Sequence, residues 1–300
     1  MGAVTETLSA LAVATPVRAF FETSGATGRV LAAFERSLYL ETDEGQLVAI
    51  LAEGLGRGAF ALTVAGSPTF AALPPGEAAR IRDQTLHLGD LRIDLAPSAP
   101  WDPTLPPLGG SPQAGMRFLD GHLRAHVPED GLARAVFEAA ASPESPLLTQ
   151  GRSALTHLRD ALARGDAAGV TGAVADLAGL GPGLTPSGDD LSAGLLLALH
   201  LWPASAGPLG AKIVAALILG TAAPRTGRIS RAYLWAARQG HAADAWHDLV
   251  RALPDTAGSV TAAAGRILQT GETSGADMLA GFLFGWRLKW NHREIIGQDL

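Results

Sequence analysis

The chain reads as an α+β protein, with a small N-terminal β-barrel or sandwich followed by a larger, mostly α-helical domain. Three observations predict this. Short β-rich runs separated by tight turns fill the first hundred residues, the pattern of a small closed or two-layer sheet. From Ala96 to Gly115 the composition shifts to Pro and Gly (Pro97, Pro100, Pro103, Pro106, Pro107, Gly109, Gly110, Pro112), as at a junction. Beyond it, apolar residues recur with a period of about 3.6 instead of two. The division expected is 1–100 for the β-rich domain, 101–115 for the Pro/Gly junction and 116–300 for the helical domain that carries a Gly-rich motif.

In chain order, a helix is expected within Thr5–Ala14. Arg29–Phe34, Leu38–Thr42, Leu47–Leu51 and Phe60–Val64 are β-rich runs, with hairpin-turn chemistry in Asp43-Glu44-Gly45. A second hairpin is expected at Leu86–Leu88 and Leu91–Leu95 around Gly89-Asp90, since Leu91, Ile93 and Leu95 alternate with Arg92 and Asp94. Five or six strands result. The predicted helices are Gly131–Ala141, Leu147–Arg164, Ala167–Leu177, Gly188–Leu201, Leu209–Ala222, Arg228–Gln239, Ala242–Ala252, Gly258–Thr270 and Ser274–Lys289. Their short connections suit a packed helical domain. Strands do not alternate with helices, so a doubly wound sheet is not expected.

Composition narrows the function. The 300 residues are 47% hydrophobic and 17% charged, a globular balance. A net charge of −6 and no run of Lys and Arg argue against nucleic-acid or membrane-surface partners. The absence of Cys excludes disulfides, thiolate metal sites and a Cys nucleophile. The short apolar stretch after Thr5 and Glu6 has no basic flank and makes a poor signal peptide. Leu191–Gly220 is interrupted by His200, Pro203 and Lys212, so neither half reaches the roughly 20 residues of a membrane span. A cytoplasmic location is expected.

The most informative stretch is Gly179-Leu180-Gly181-Pro182-Gly183-Leu184-Thr185-Pro186-Ser187-Gly188-Asp189-Asp190. Its alternate glycines allow turns that side chains would block, and close approach of a ligand. Ser187 or Thr185 is the expected N-cap of the next helix, and Asp189 and Asp190 suit its positive end. The N–H groups from Ser187 to Asp189 are the expected receptor for phosphate or carboxylate.

The motif has an echo. Ser187-Gly188-Asp189-Asp190-Leu191-Ser192-Ala193-Gly194-Leu195-Leu196 aligns without gaps on Ser274-Gly275-Ala276-Asp277-Met278-Leu279-Ala280-Gly281-Phe282-Leu283, at a constant offset (277 − 190 = 87). Each helix then presents a carboxylate near its start and a flat Ala-Gly surface one turn later. The expectation is close packing through Ala193-Gly194 and Ala280-Gly281, with both Ser-Gly-Asp ends at one pocket. Ser and Asp at helix starts are also ordinary caps. Neighbouring carboxylates could hold Mg²⁺ through water, although Asp189 and Asp190 point about 100° apart.

Arg225 and Arg228, near the start of another helix, are candidate anion ligands; a solvated helix face is the alternative. Tyr233, Trp235 and His200 are assigned to packing. His241 and His247 are six apart, which matches no metal-ligand spacing. The candidate site is therefore Asp190 and Asp277 for chemistry, with Gly181, Gly183, Thr185, Ser187, Gly188, Asp189, Arg225, Arg228, Ser274 and Gly275 for a small anion.

The segment Leu180–Asp190, the Ala-Gly helix that follows and Thr273-Ser274-Gly275-Ala276-Asp277 together resemble the AllH-like family, over at least Leu147–Trp290. That group includes a subunit of bacterial oxamate carbamoyltransferase. The resemblance implies a role in oxamate, purine and allantoin nitrogen metabolism, with carbamoyl phosphate or oxamate as the small anionic substrate, other subunits as partners and an oligomeric enzyme. A non-catalytic anion-binding or assembly subunit and a Mg²⁺-dependent hydrolase on Asp189, Asp190 and Asp277 are the alternatives.

Overall fold

Alternation and tight turns build the first half. The computed structural model describes residues 7–137 and 145–296, with 289–296 by backbone alone. In chain order, β1 (Thr7–Ala14) leads through a 3-10 turn to α1 (Arg18–Glu22). Then come β2 (Thr27–Ala33), β3 (Ser37–Thr42), β4 (Leu47–Ala52), β5 (Ala61–Val64), β6 (Ala78–Arg82), β7 (Thr85–Leu88), β8 (Leu91–Asp94) and β9 (Ala99–Trp101). The spatial order is β5-β4-β3-β2-β6-β7-β8-β1, and β1 also pairs with β5, closing an eight-stranded barrel.

One edge of β1 pairs antiparallel with β5. The other is shared: Thr7–Ser9 run parallel to β8, and Ala12–Ala14 run parallel to β9. Every second residue of the central strands is buried, including Leu38, Leu40, Val48, Ile50, Ile81, Leu86, Leu88 and Ile93. Each such side chain stabilises the barrel by about 1.5–3 kcal/mol relative to exposure.

The expected helix within Thr5–Ala14 is a strand over its described part. Its run of Leu8, Ala10, Leu11, Ala12 and Val13 lacks clean alternation in sequence: Leu11 is exposed although apolar, and Ala12, Val13 and Ala14 are buried in succession where β1 is paired on both edges. The β6–β7 hairpin was not predicted either. Its two-residue turn is Asp83-Gln84, both left-handed (φ 47° and 57°), where a Gly signature is usual.

The chain divides into two compact units. One is Met1–Thr104 with Ala242–Asp244, and the other is Leu105–His241 with Ala245–Leu300. In the first, Asp244 accepts from the Arg57 amide at 3.1 Å, and Arg57 lies 4.1 Å over the Trp101 ring.

The second unit is helical: α2 (Gln113–His126), α3 (Pro146–Arg164), α4 (Ala167–Leu177), α5 (Ser187–Leu201), α6 (Ala211–Ala222), α7 (Arg228–Arg238), α8 (Asp244–Ala252), α9 (Ala257–Leu268) and α10 (Ser274–Ile296). The fold is α+β. Local chemistry sets several boundaries. Ser145 caps α3 by accepting from the Leu148 amide, Gly165 ends it at φ 67°, and Asp166 caps α4 through the Gly169 amide.

Neither β9 nor α2, which both reach into the Pro/Gly-rich stretch, was predicted. The helix expected over Gly131–Ala141 is a short 3-10 turn at Ala133–Val136 as far as Phe137; 138–141 lie outside the described residues. Helix α5 is buried on every side from Ser187 to Leu199 and forms the centre of its unit, packed most extensively on α10. Trp202 and Trp246 both close on the Phe282 ring, at 5.1 and 5.3 Å. Among the described residues no single helix is long and apolar enough to cross a membrane.

Candidate functional site

The two echoing segments form one crossing. A Cβ on Gly194 would lie 1.8 Å from the Met278 carbonyl oxygen, and one on Gly281 would lie 1.9 Å from that of Leu191. Both contacts obey the same offset (278 − 191 = 87). Helices α5 and α10 thus touch backbone to backbone about a local two-fold. Gly188 and Gly275, six residues or nearly two turns earlier, make contacts of the same kind, against the Leu177 carbonyl at the end of α4 and the Ile267 carbonyl at the end of α9 (1.9 and 2.0 Å). Glycine is required at all four positions because the space for a Cβ is already filled by backbone.

The crossing swaps partners between the repeats. The Ser274 hydroxyl hydrogen-bonds to Asp190, and the Ser187 hydroxyl hydrogen-bonds to Asp277. Thr185 also bonds Asp190, and its Oγ1 lies 3.0 Å from Ser274 Oγ. Asp277 Oδ1 accepts from the Leu132 amide at 2.7 Å, and the Thr273 hydroxyl and Ala133 amide bond the same carboxyl.

Both carboxyls are buried, Asp190 at 3% exposure and Asp277 at 0%, and the Oδ2 of each lacks a hydrogen-bond partner. Burial pushes Asp190 well above the usual carboxylate range; the Asp277 and Asp189 charges raise it further, while the Ser274 and Thr185 hydroxyls oppose the rise. Burial also raises Asp277, to about 6, against the pull of its hydrogen bonds. A carboxyl kept neutral this way can donate a proton, and its neighbour near 6 can accept one.

The loop before α5 has Gly179, Gly181 and Gly183 at φ 73°, 111° and 93°. The tip, Pro182-Gly183-Leu184, is exposed. Here the helix start differs from the expectation. Pro186 occupies the cap position without a side-chain bond, because Ser187 is turned to Asp277 and Thr185 to Asp190. The Gly188 amide donates to the Leu180 carbonyl, and those of Asp189 and Asp190 donate to Pro186. The amides of Gly188 and Asp189, two of those assigned to an anion, are thus spent inside the loop. The consecutive carboxylates diverge, and Asp189 does not join the pair. It takes the Gly179 amide at 3.0 Å, the Ser230 hydroxyl at 2.8 Å and the Thr226 hydroxyl, clamping the loop to the start of α7.

That clamp brings the arginines alongside: the Arg225 carbonyl oxygen is 3.2 Å from a Cβ placed on Gly179. Arg225 and Arg228 are exposed, and Arg225 Nη1 is anchored on the Thr221 carbonyl at 2.8 Å. No group of three or more His, Asp or Glu among the described residues is placed to hold a metal ion. His200 and Trp235, assigned to packing, are exposed; the His200 ring lies over Gly240, where a Cβ would come within 2.4 Å.

Sequence reasoning missed the turn at Gly131-Leu132, whose amide holds Asp277. Gly131 has φ 91°, and a Cβ there would lie 2.9 Å from Asp277 Oδ2, so this turn lids the carboxyl. The dipeptide Asp130-Gly131 is turn chemistry and was the available signal.

Residues 177–286 match the family model described as oxamate carbamoyltransferase subunit AllH, and residues 9–100 match the AllH family N-terminal domain. No curated protein and no solved structure matches the chain. The first match contains both halves of the α5–α10 crossing and the second spans the barrel strands from β1 to β9, so the chain belongs to the AllH family.

Proposed function

We propose that this chain is the oxamate-carbamoyltransferase subunit that receives a small carbamoyl- or carboxyl-bearing anion, in purine and allantoin nitrogen metabolism. The observation that carries it is the exchanged Ser–Asp pairing, which holds two buried carboxyls of different proton affinity at one point. A purely structural crossing would be served as well by two apolar residues, without the cost of burying charge.

The loop backbone at the half-buried Gly181 and the exposed Gly183, with Arg225 and Arg228, holds the anionic group. The spent amides of Gly188 and Asp189 move this binding from the helix mouth to the loop tip and the guanidiniums. Asp190, protonated, donates to a carbonyl oxygen. Asp277, ionised near neutral pH, accepts the proton from the attacking amide nitrogen. In that step the nitrogen of oxamate bonds to the carbamoyl carbon, the carbon–oxygen bond to phosphate breaks, and phosphate departs with the bonding pair. General acid–base assistance of this kind contributes about 10²–10⁴-fold.

The test is carbamoyl transfer from carbamoyl phosphate to oxamate by the chain assembled with the other subunits of the transferase. Asp190→Asn and Asp277→Asn should each lower kcat at least about 100-fold, with phosphate binding retained. Unchanged turnover in both variants would overturn the roles given to the carboxyls. A non-catalytic assembly role is the second reading, favoured by the near-complete burial of both carboxyls. It predicts unchanged turnover in those variants once the complex has formed.

A further inference from the structure

The outer face of α7 was not absorbed by the site. Arg228, Arg231, Trp235 and Arg238 follow at i, i+3, i+7 and i+10, which places them within an arc of about 80° on one side of the helix. All four are exposed, Trp235 at 47%. Arg225 precedes them, also exposed, and no Asp or Glu occurs from 225 to 240 although the chain carries −6 overall. Leu184, 52% exposed, adjoins this face: its carbonyl oxygen lies 3.9 Å from a Cβ placed on Gly227.

The basic side chains are positioned from below. Arg231 Nε donates to the Ala223 carbonyl at 2.9 Å, Arg225 Nη1 donates to that of Thr221, and the Arg238 guanidinium stands 5.7 Å from the centre of the Trp235 ring. Among the described residues no carboxylate pairs with Arg225, Arg231 or Arg238.

We infer that this face docks an acidic protein surface of a partner subunit, with Trp235 and Leu184 as apolar anchors and the arginines as the charged rim. Trp and Arg are the residue types that dominate binding energy at such interfaces. Trp235 and Leu184 together expose apolar area beside the guanidiniums, the combination of apolar anchor and charged rim found at protein interfaces. Arg225, Arg231 and Arg238, without a carboxylate partner among the described residues, find their complement in an acidic surface. The inference rests on the subunit reading. It also places the partner beside the Gly181–Gly183 loop, so the anion site would be closed by the neighbouring chain.

The test is the affinity of the full chain for the other subunits of the transferase, measured by titration calorimetry and by co-elution. The triple variant R231E/W235A/R238E alters none of the groups assigned to the anion. It should bind at least about 30-fold more weakly while keeping the wild-type circular dichroism and phosphate binding. Rising NaCl should weaken the wild type more than the variant. A complex that the triple variant leaves intact overturns the docking surface alone. A wild-type chain that joins no subunit overturns the surface and the subunit reading together. If the variant instead loses binding to a single-stranded oligonucleotide, or loses self-association, with the subunit complex preserved, the face belongs to nucleic acid or to a second copy and the inference falls.

Discussion

Asp277→Asn isolates the cost of holding a buried carboxylate. In the folded chain this group titrates at about 6, against 3.8 for an ordinary Asp; at ~1.4 kcal/mol per tenfold change in affinity the difference is worth about 3 kcal/mol. The folded state binds this proton more tightly than the unfolded chain. Its contribution is therefore complete below about pH 4 and is lost as pH rises through about 6. Asn does not ionise, and it still offers an oxygen to the Leu132 amide. Relative to wild type, the variant should thus gain about 3 kcal/mol between acid and neutral pH. Asp190, raised by burial and in part by the Asp277 charge, adds a decline of the same sign at higher pH; the variant lacks that charge, so its decline is the smaller and the difference adds to its gain.

The assay is urea denaturation in steps between about pH 4.5 and 8, where about 2 kcal/mol of that gain falls, following the midpoint at constant slope. A difference between the two proteins that stays flat with pH, or moves in favour of wild type as pH rises, would refute the argument. The same substitution should lower kcat at least about 100-fold in the assembled enzyme, the stability–activity exchange typical of a working site.

Gly194→Ala should cost about 1–3 kcal/mol, because its methyl group would have to displace the Met278 backbone; an unchanged thermal midpoint would contradict the close crossing. Asp189→Ala leaves the Thr226 and Ser230 hydroxyls and the Gly179 amide without their acceptor. A loss of about 2–4 kcal/mol and faster amide exchange at Gly179 are expected, and wild-type protection there would refute the clamp. Ser274→Ala removes a hydroxyl that opposes protonation of Asp190, so the carboxyl resonance of Asp190 should titrate higher than in wild type; a midpoint unmoved or lowered would break the exchanged pairing.

Much of this was legible because the signals are local. Asp43-Glu44-Gly45 and Gly89-Asp90 announced their hairpins, and the helix runs from Leu147 and from Ala167 were read to within a residue. The Ser-Gly-x-Asp echo foretold the Ala-Gly crossing, since two helices can approach that closely only over small residues. What escaped depends on tertiary pairing. Leu8–Val13 is a strand because β5, β8 and β9 all bond to it, and nothing in the run itself demands that. Ser187 is the right residue for a cap, yet it is drawn to Asp277 on another helix, a competition invisible in one segment. The Leu132 amide is 145 positions from the carboxylate it holds, beyond the reach of any spacing argument. Trp235 was assigned inward on residue type alone, and the turn of α7 carries it out.

The shared edge of β1 has a consequence for how the molecule is made. The strand meets its neighbours at large separations along the chain (64 − 10 = 54, 93 − 8 = 85 and 101 − 14 = 87). At a synthesis rate of about 5–20 residues per second, the last of these arrives roughly 4–17 s after Ala14. Both margins of Leu8–Val13 are open until β5 emerges, and the margin shared by β8 and β9 stays open to the end of that interval, the condition that invites pairing with the wrong chain. Barrel closure is therefore a late event in biogenesis, and during it the nascent protein is most in need of a chaperone.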